Sequence, residues 1–338
     1  MPDDRAPRID AFLAAHGWGN AARHALAGDA SNRRYLRLAR PDGTRAVLMD
    51  APPERGEDVR PFTAIARHLC ALGLSAPAIL AEDPQTGLLL LEDLGDALFA
   101  RVLEHDPAQE PQLYRAATDL LVDLHRHAPP AGLAAYAPPL MADLAALALD
   151  WYRNGATGKG DAALRARFCA ETETHLAALP ATDSTLIQRD YHAENLLWLP
   201  DRAGVARVGL LDFQDAMRGH RAYDLVSLLQ DARRDVSPET ARAMLAHYIA
   251  ATGTDADAFT TAFHWLGAQR NLRILGVFAR LSLRDGKPQY IGLIPRVWAH
   301  LQTDLRHPAL APLAALVAEA LPPPTPAHLA RLEPGHAA

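Results

Sequence analysis

Asp190 precedes Asn195 by five residues, and Asp212 follows Asn195 by seventeen, at the end of the apolar run Val208 to Leu211. These residue types at this spacing suit phosphoryl transfer. Asp190 is the candidate general base: its carboxylate would orient the attacking hydroxyl and take its proton late, because the transition state is loose and needs little activation of the nucleophile. Asn195 and Asp212 are the candidate Mg2+ ligands. Mg2+ is a hard ion that takes oxygen ligands, keeps several waters and bridges the phosphates of ATP. An isolated Asp-x-x-x-x-Asn occurs often by chance and would equally describe a capped turn. The apolar segment ending in Asp212-Phe213 makes the set specific.

Other polar residues fall around this set. His192, two residues after the base, reads as a hydrogen-bonded support of the loop. Asp215 and Asp224 read as supports behind the reacting groups, with Asp224 opening a helix that it could cap while bonding to the catalytic loop. Gly28-Asp29-Ala30-Ser31-Asn32-Arg33-Arg34-Tyr35 is rich in small residues, which let backbone N–H groups approach phosphates, and its arginines add positive charge. Ser31, Asn32 and Arg34 are the ATP-binding candidates there; a plain surface turn is the alternative. Leu88 to Gly95 runs from a buried strand into a linker, where the chain path at Glu92 and Leu94 would meet the adenine edge. Arg270 and Arg273, with Arg280, share one helical face between Gln269 and Arg280. That face is either solvated surface or an anion-reading wall of the acceptor pocket, and Gln214 joins the two arginines as an acceptor-binding candidate.

Elements able to position these groups follow from hydrophobic periodicity. Residues 8–27 and 57–72 read as amphipathic helices. Strands are expected over 34–38, 44–49, 75–81 and 87–92, with Pro41-Asp42-Gly43 and 83–87 as turns. Beyond Asp93 the chain becomes Ala/Leu-rich and helical, over 109–127, 140–153, 161–179 and 222–234. Short strands at 185–187, 196–199 and 208–212 interrupt it around the motif. The expected architecture is an α/β (α+β) fold: a sheet-rich lobe over 1–94 that binds nucleotide, and a larger helical lobe over 95–321 that holds the catalytic and acceptor sites. A flexible Pro/Ala-rich tail over 322–338 completes it.

Bulk properties exclude several function classes. The 338 residues are 49% hydrophobic and 22% charged, enough for a sizeable core, with a net charge of -6 that argues against a general nucleic-acid binder. The two cysteines, Cys70 and Cys169, do not suggest a disulfide framework. No signal-peptide profile opens the chain and no apolar run approaches a membrane span. A cytoplasmic monomer acting on a small molecule, with no nucleic acid or membrane partner, is expected.

The segments Gln188 to Asn195, Asp212 to Asp215 and Tyr223-Asp224-Leu225 resemble those of the aminoglycoside phosphotransferase/choline kinase-like family, whose fold is that of protein kinases. Gly28 to Tyr35, Met49 to Glu54, and Gln269 to Leu281 with Arg284-Asp285-Gly286-Lys287 are similar to one branch of it: the anomeric kinases of N-acetylmuramate and N-acetylglucosamine in cell-wall sugar recycling. The resemblance runs from about Gly28 to about Leu301. It implies ATP- and Mg2+-dependent phosphorylation of a sugar's anomeric hydroxyl, with Asp190 inheriting the base role and Asn195 and Asp212 the metal roles. The lactyl carboxylate of N-acetylmuramate would suit Arg273 or Arg270. The wider family places a lysine on the third strand, whereas this chain has only Lys159 and Lys287 and reads Arg45-Ala46-Val47-Leu48-Met49-Asp50 there. Arg34 or Arg45 is the expected substitute, with Arg37 as an alternative. Two rival readings are open to the same residues. An aminoglycoside or other small-alcohol phosphotransferase would want acidic acceptor loops, but Asp212 to Arg234 is of mixed charge. A nucleotide-binding regulatory module should have lost a metal ligand.

Overall fold

The computed structural model describes residues 5–26, 32–179 and 184–334. In chain order its strands are β1 (Ala22–Ala25), β2 (Arg34–Ala39), β3 (Arg45–Asp50), β4 (Ile79–Asp83), β5 (Leu88–Glu92), β6 (Ser184–Ile187), β7 (Leu196–Trp198), β8 (Val208–Leu210) and β9 (Met217–His220). The chain forms two compact units. The first comprises residues up to Leu120 plus Ala193–Ala216; the second comprises Leu121–His192 plus the chain from Met217 onward.

In the first unit five antiparallel strands lie in the order β1-β2-β3-β5-β4. The β2–β3 turn closes on Gly43 at φ 85, a left-handed conformation suited to glycine, and Asp42 accepts the Thr44 N–H at 2.8 Å. Alternation then gives the sheet two faces. Leu38, Ala46, Leu48, Leu88 and Leu90 pack against Phe12, Leu13 and Trp18, which helix α1 (Arg5–Ala15) and the residues after it supply. Helix α2 (Arg60–Ala71) starts with Pro61 in its first turn and buries Phe62, Ile65, Ala66 and Leu69, the i, i+3, i+4, i+7 stripe of an amphipathic helix. The β7–β8 hairpin completes this unit. Leu210 donates its N–H to the Ser75 carbonyl at 2.9 Å, and Leu197 bridges to Leu98.

The second unit is mostly helical. Strands β6 and β9 pair with each other. Around them lie α3 (Ala222–Leu229) and the 28-residue α4 (Ala256–Leu283), whose buried side runs from Phe259 to Ser282. Gly276 of α4 lies against the Leu147 backbone so closely that a Cβ would sit 2.2 Å from the Leu147 carbonyl carbon.

The small sheet and the helical remainder expected from the sequence are both present, with three local corrections. The helix expected over 8–27 ends at Ala15. Gly17 turns at φ 75, and Ala22–Ala25, which carries no strand signal, is drawn into the sheet by pairing with β2. The helix expected over 222–234 stops at Leu229, because Gln230 leaves helical geometry to donate to Asp304 at 2.8 Å. The Pro/Ala-rich end is anchored over 322–334 rather than loose. Pro322 accepts the Tyr152 hydroxyl at 2.8 Å, Leu332 is fully buried, and its carbonyl accepts from Ser282 Oγ at 2.7 Å.

Candidate active site

In the second unit β6 ends at Ile187 and feeds the segment carrying Asp190. Two backbone N–H groups of that segment, from Gln188 at 2.6 Å and Arg189 at 2.9 Å, converge on the carboxylate of Asp224, which is fully buried. Asp224 stands in the first turn of α3, yet its carboxylate is spent on the loop rather than on capping its own helix. Arg189 adopts φ 73, a left-handed conformation costly for a non-glycine residue. Asp224 and Ser227 hold it there, Ser227 Oγ donating to the Arg189 carbonyl at 3.3 Å, while the Arg189 guanidinium lies 5.5 Å over the Tyr136 ring.

Asp190 follows directly and is half-buried. Burial, the largest single influence, pushes its carboxyl upward. The guanidinium charges of Arg273 first, then of Arg270 and Arg189, with His192 adding to them only when it is protonated, outweigh burial and hold it below the usual carboxylate range. A carboxylate kept ionised in this way can orient a hydroxyl and accept its proton. His192 is buried, and burial holds it down to about 4. Its Nε2 lies 3.3 Å from Arg233 Nη1, the geometry of a neutral imidazole accepting from a guanidinium.

The two arginines of α4 have different surroundings. Arg270 is 3% exposed and donates to Ser227 Oγ at 2.8 Å and to the Gln230 carbonyl at 3.3 Å. It is no part of a solvated face; it braces the residue that braces Arg189. Arg273 is half-buried and donates to Tyr223 Oη at 3.3 Å. The Tyr136 ring meets Tyr223 edge-on at 5.0 Å, and Gln269 donates to Tyr136 Oη at 3.2 Å.

In the first unit the β7–β8 hairpin pairs Leu196 with Leu210, which brings Asn195 and Asp212 to its open end. Asn195 Nδ2 lies 3.4 Å from Asp212 Oδ2, and Gln214 donates to Asp212 Oδ1 at 2.6 Å. Asp212 adopts φ 57 and Phe213 beside it is fully buried, stacked at 4.9 Å on Phe62 of α2. Asp215 is exposed. The donor set fits Mg2+: one carboxylate and one carboxamide, all hard oxygen, with the remaining positions left to water and phosphate. Gln214 therefore touches Asp212 itself, which its expected acceptor role did not anticipate.

The nucleotide-side candidates divide. Ser31 lies outside the described residues, as do Gly28, Asp29 and Ala30. Asn32 donates its backbone N–H to Glu57 Oε1 at 3.0 Å and its carboxamide to the Arg55 carbonyl at 3.2 Å. Arg34 pairs with Asp50 at 3.3 Å, and Arg5 of α1 binds the same carboxylate. Arg45 is exposed at the start of β3. Glu92 directs its carboxylate to Arg202 at 2.5 Å, while its N–H bonds to the Ala78 carbonyl at 2.8 Å; Leu94 is buried. Arg37 donates to Asp96 at 2.7 Å and to Asp93 at 3.0 Å, clasping the linker after β5.

Sequence reasoning missed Glu57, Asp93, Ser227 and Tyr136. The one available signal was for the α4 network: Gln269-Arg270-Asn271 is a polar triplet inside an otherwise apolar helix, and all three residues are buried.

The chain is similar to several known proteins. The model of the phosphotransferase enzyme family matches residues 23–259. The N-acetylmuramate/N-acetylglucosamine kinase of Caulobacter vibrioides is 43% identical, over 93% of this chain and 96% of its own length. Among solved structures, a choline/ethanolamine kinase family protein from Mesorhizobium loti superposes with a TM-score of 0.60 at 16% identity, covering 97% of this chain and 98% of that one. An amicoumacin kinase solved with AMP-PNP and Ca2+ gives 0.60 at 14%, covering 91% and 97%. At such identities the structural likeness carries the fold alone, and that fold is kinase-like.

Proposed function

This chain belongs to the phosphotransferase enzyme family, and we propose that it uses ATP and Mg2+ to phosphorylate the anomeric hydroxyl of N-acetylmuramate or N-acetylglucosamine, giving the sugar 1-phosphate. One observation carries the substrate: 43% identity with a kinase of that name along nearly the whole of both chains.

The site residues support the reaction class. Asp190, ionised at neutral pH, orients the anomeric hydroxyl and accepts its proton at a carboxylate oxygen. Asp212 and Asn195 present the oxygens that would hold Mg2+, which when bound offsets charge on the transferring phosphoryl group. Gln214 fixes the Asp212 carboxylate from one side. Arg273, whose charge acts on Asp190, is the group suited to a lactyl carboxylate, because a guanidinium matches a carboxylate's paired oxygens. Arg270 is committed to Ser227 and Gln230 and serves the loop instead. The dependence on ATP points to the cytoplasm as the place of action.

Release of ADP from Mg-ATP is to be followed with N-acetylmuramate, N-acetylglucosamine, glucose, choline and kanamycin, with Asp190→Asn as the control. Turnover on the two N-acetylated sugars, lost in Asp190→Asn, is the expected result. Turnover on choline or kanamycin alone would overturn the substrate.

A further inference from the structure

A nucleotide triphosphate remains anionic after one divalent ion binds. Kinase-type sites answer that charge with a basic side chain held in place by a carboxylate. β3 offers no lysine for the task, and the first unit carries several arginines that could take it. Arg37 spends its guanidinium on Asp93, Asp96 and the Gly95 carbonyl. Arg34 stands opposite Asp50 in the β2–β3 register, on the sheet face that also carries Ala46 and Leu48 and packs against α1. Arg5 of α1 reaches the same Asp50. Arg45 sits exposed at the far end of β3 from that pair.

Arg33 is set apart by a carboxylate partner that also fixes the backbone next to it. Its Nε donates to Glu57 Oε2 at 2.8 Å, while Glu57 Oε1 accepts the Asn32 N–H at 3.0 Å, so one carboxylate fixes both the side chain and the backbone beside it. The two side chains are only 14% and 12% exposed, which makes this a desolvated pair rather than a surface one. Arg33 also bonds to Tyr35, whose register partner is Met49, on the sheet face away from α1. Glu57 lies just before α2, and Phe62 in the first turn of α2 stacks on Phe213, the residue after Asp212. One short helix therefore connects the Arg33 pair to the Asn195–Asp212 pair within the same unit.

We propose that Arg33, oriented by Glu57, is the cation that binds the nucleotide phosphates in this chain, in place of a strand lysine. Glu57 is a positioning residue. The assignment rests on the nucleotide-dependent reading above.

Calorimetric titration separates the two. The wild-type chain, Arg33→Ala, Arg33→Lys, Glu57→Gln and, as a charge control, Arg60→Ala from the exposed Asp58 pair, are each titrated with adenosine and with Mg-AMP-PNP. Arg33→Ala is expected to weaken Mg-AMP-PNP about tenfold or more, the loss of one charged hydrogen-bonding partner, and adenosine less than about twofold. Arg33→Lys should recover part of the loss. Glu57→Gln should reproduce it more weakly, raising KM for ATP with KM for the sugar unmoved. Should Arg33→Ala not fold, Arg33→Lys and Glu57→Gln carry the test. A wild-type chain that does not bind Mg-AMP-PNP overturns the parent reading and this assignment with it. Binding in the wild type that Arg33→Ala leaves intact, that falls equally for adenosine, or that Arg34→Ala abolishes instead, overturns this assignment alone.

Discussion

The carboxylate of Asp224 accepts the backbone N–H of Arg189 at 2.9 Å, and Arg189 stands at φ 73 immediately before the candidate base. The strained residue and the buried acid hold each other: the loop keeps its turn because Asp224 receives two N–H groups that would otherwise be orphaned. Asp224→Ala should therefore cost about 2–4 kcal/mol of stability from unsatisfied buried donors and lower kcat more than KM. Asp224→Asn keeps an acceptor oxygen and should lose less. Urea denaturation alongside steady-state kinetics checks both, and an unchanged kcat in folded Asp224→Ala would contradict the role.

Gln214 Nε2 lies 2.6 Å from Asp212 Oδ1. If its task is to orient that carboxylate, Gln214→Ala should raise the Mg2+ concentration needed for half-maximal rate about 10–100-fold and leave KM for the sugar nearly unchanged. A rise in sugar KM alone would return Gln214 to the acceptor pocket.

Two histidines, His192 buried and His125 half-buried, make the fold acid-sensitive. Burial holds His125 down to about 3, helped by the charges of Arg221 and His220, and holds His192 down to about 4, both from an ordinary 6.5. The unfolded chain binds protons between those values that the folded chain does not, so both contributions are complete above about pH 6.5. They are lost as pH falls towards 4 and then 3. The Tm should drop across that window. His125→Phe, which also removes the 2.7 Å bond to Tyr248 Oη, should have a lower Tm at neutral pH but a shallower pH slope. An identical slope in the variant would sink the assignment.

Gly276→Ala should destabilise the second unit by about 2 kcal/mol or more, because the added Cβ meets the Leu147 backbone rather than a side chain that can turn away. Thermal melts of the variant settle it; Gly292→Ala, where a Cβ meets nothing within 4 Å, is the matched control.

Local elements are legible in the sequence and remote pairing is not. Residue type and spacing mark Asp190, Asn195 and Asp212 as candidates, and the structure brings the last two within 3.4 Å; β2, β3 and β5 lie within a residue of their expected bounds because apolar runs and the Asp42-Gly43 turn mark them. The Arg33–Glu57 pair spans 24 residues and the Arg37–Asp93 pair 56, separations at which charge pattern carries no signal. Gln230 read as helix because its real partners, Asp304 and Asn271, lie 74 and 41 residues away. Ala22–Ala25 is a strand only because β2 offers it a partner.

The first unit takes strands β7 and β8, the Asn195–Asp212 pair and the ring of Phe213 from residues 193–216, which follow a long stretch of the second unit in the chain. During synthesis the sheet, α1 and α2 emerge early, yet Phe62 has no Phe213 to cover it until that later stretch leaves the ribosome. The amino-terminal unit of this chain thus cannot finish folding first, and no cut of the gene into two consecutive halves would yield two self-sufficient proteins.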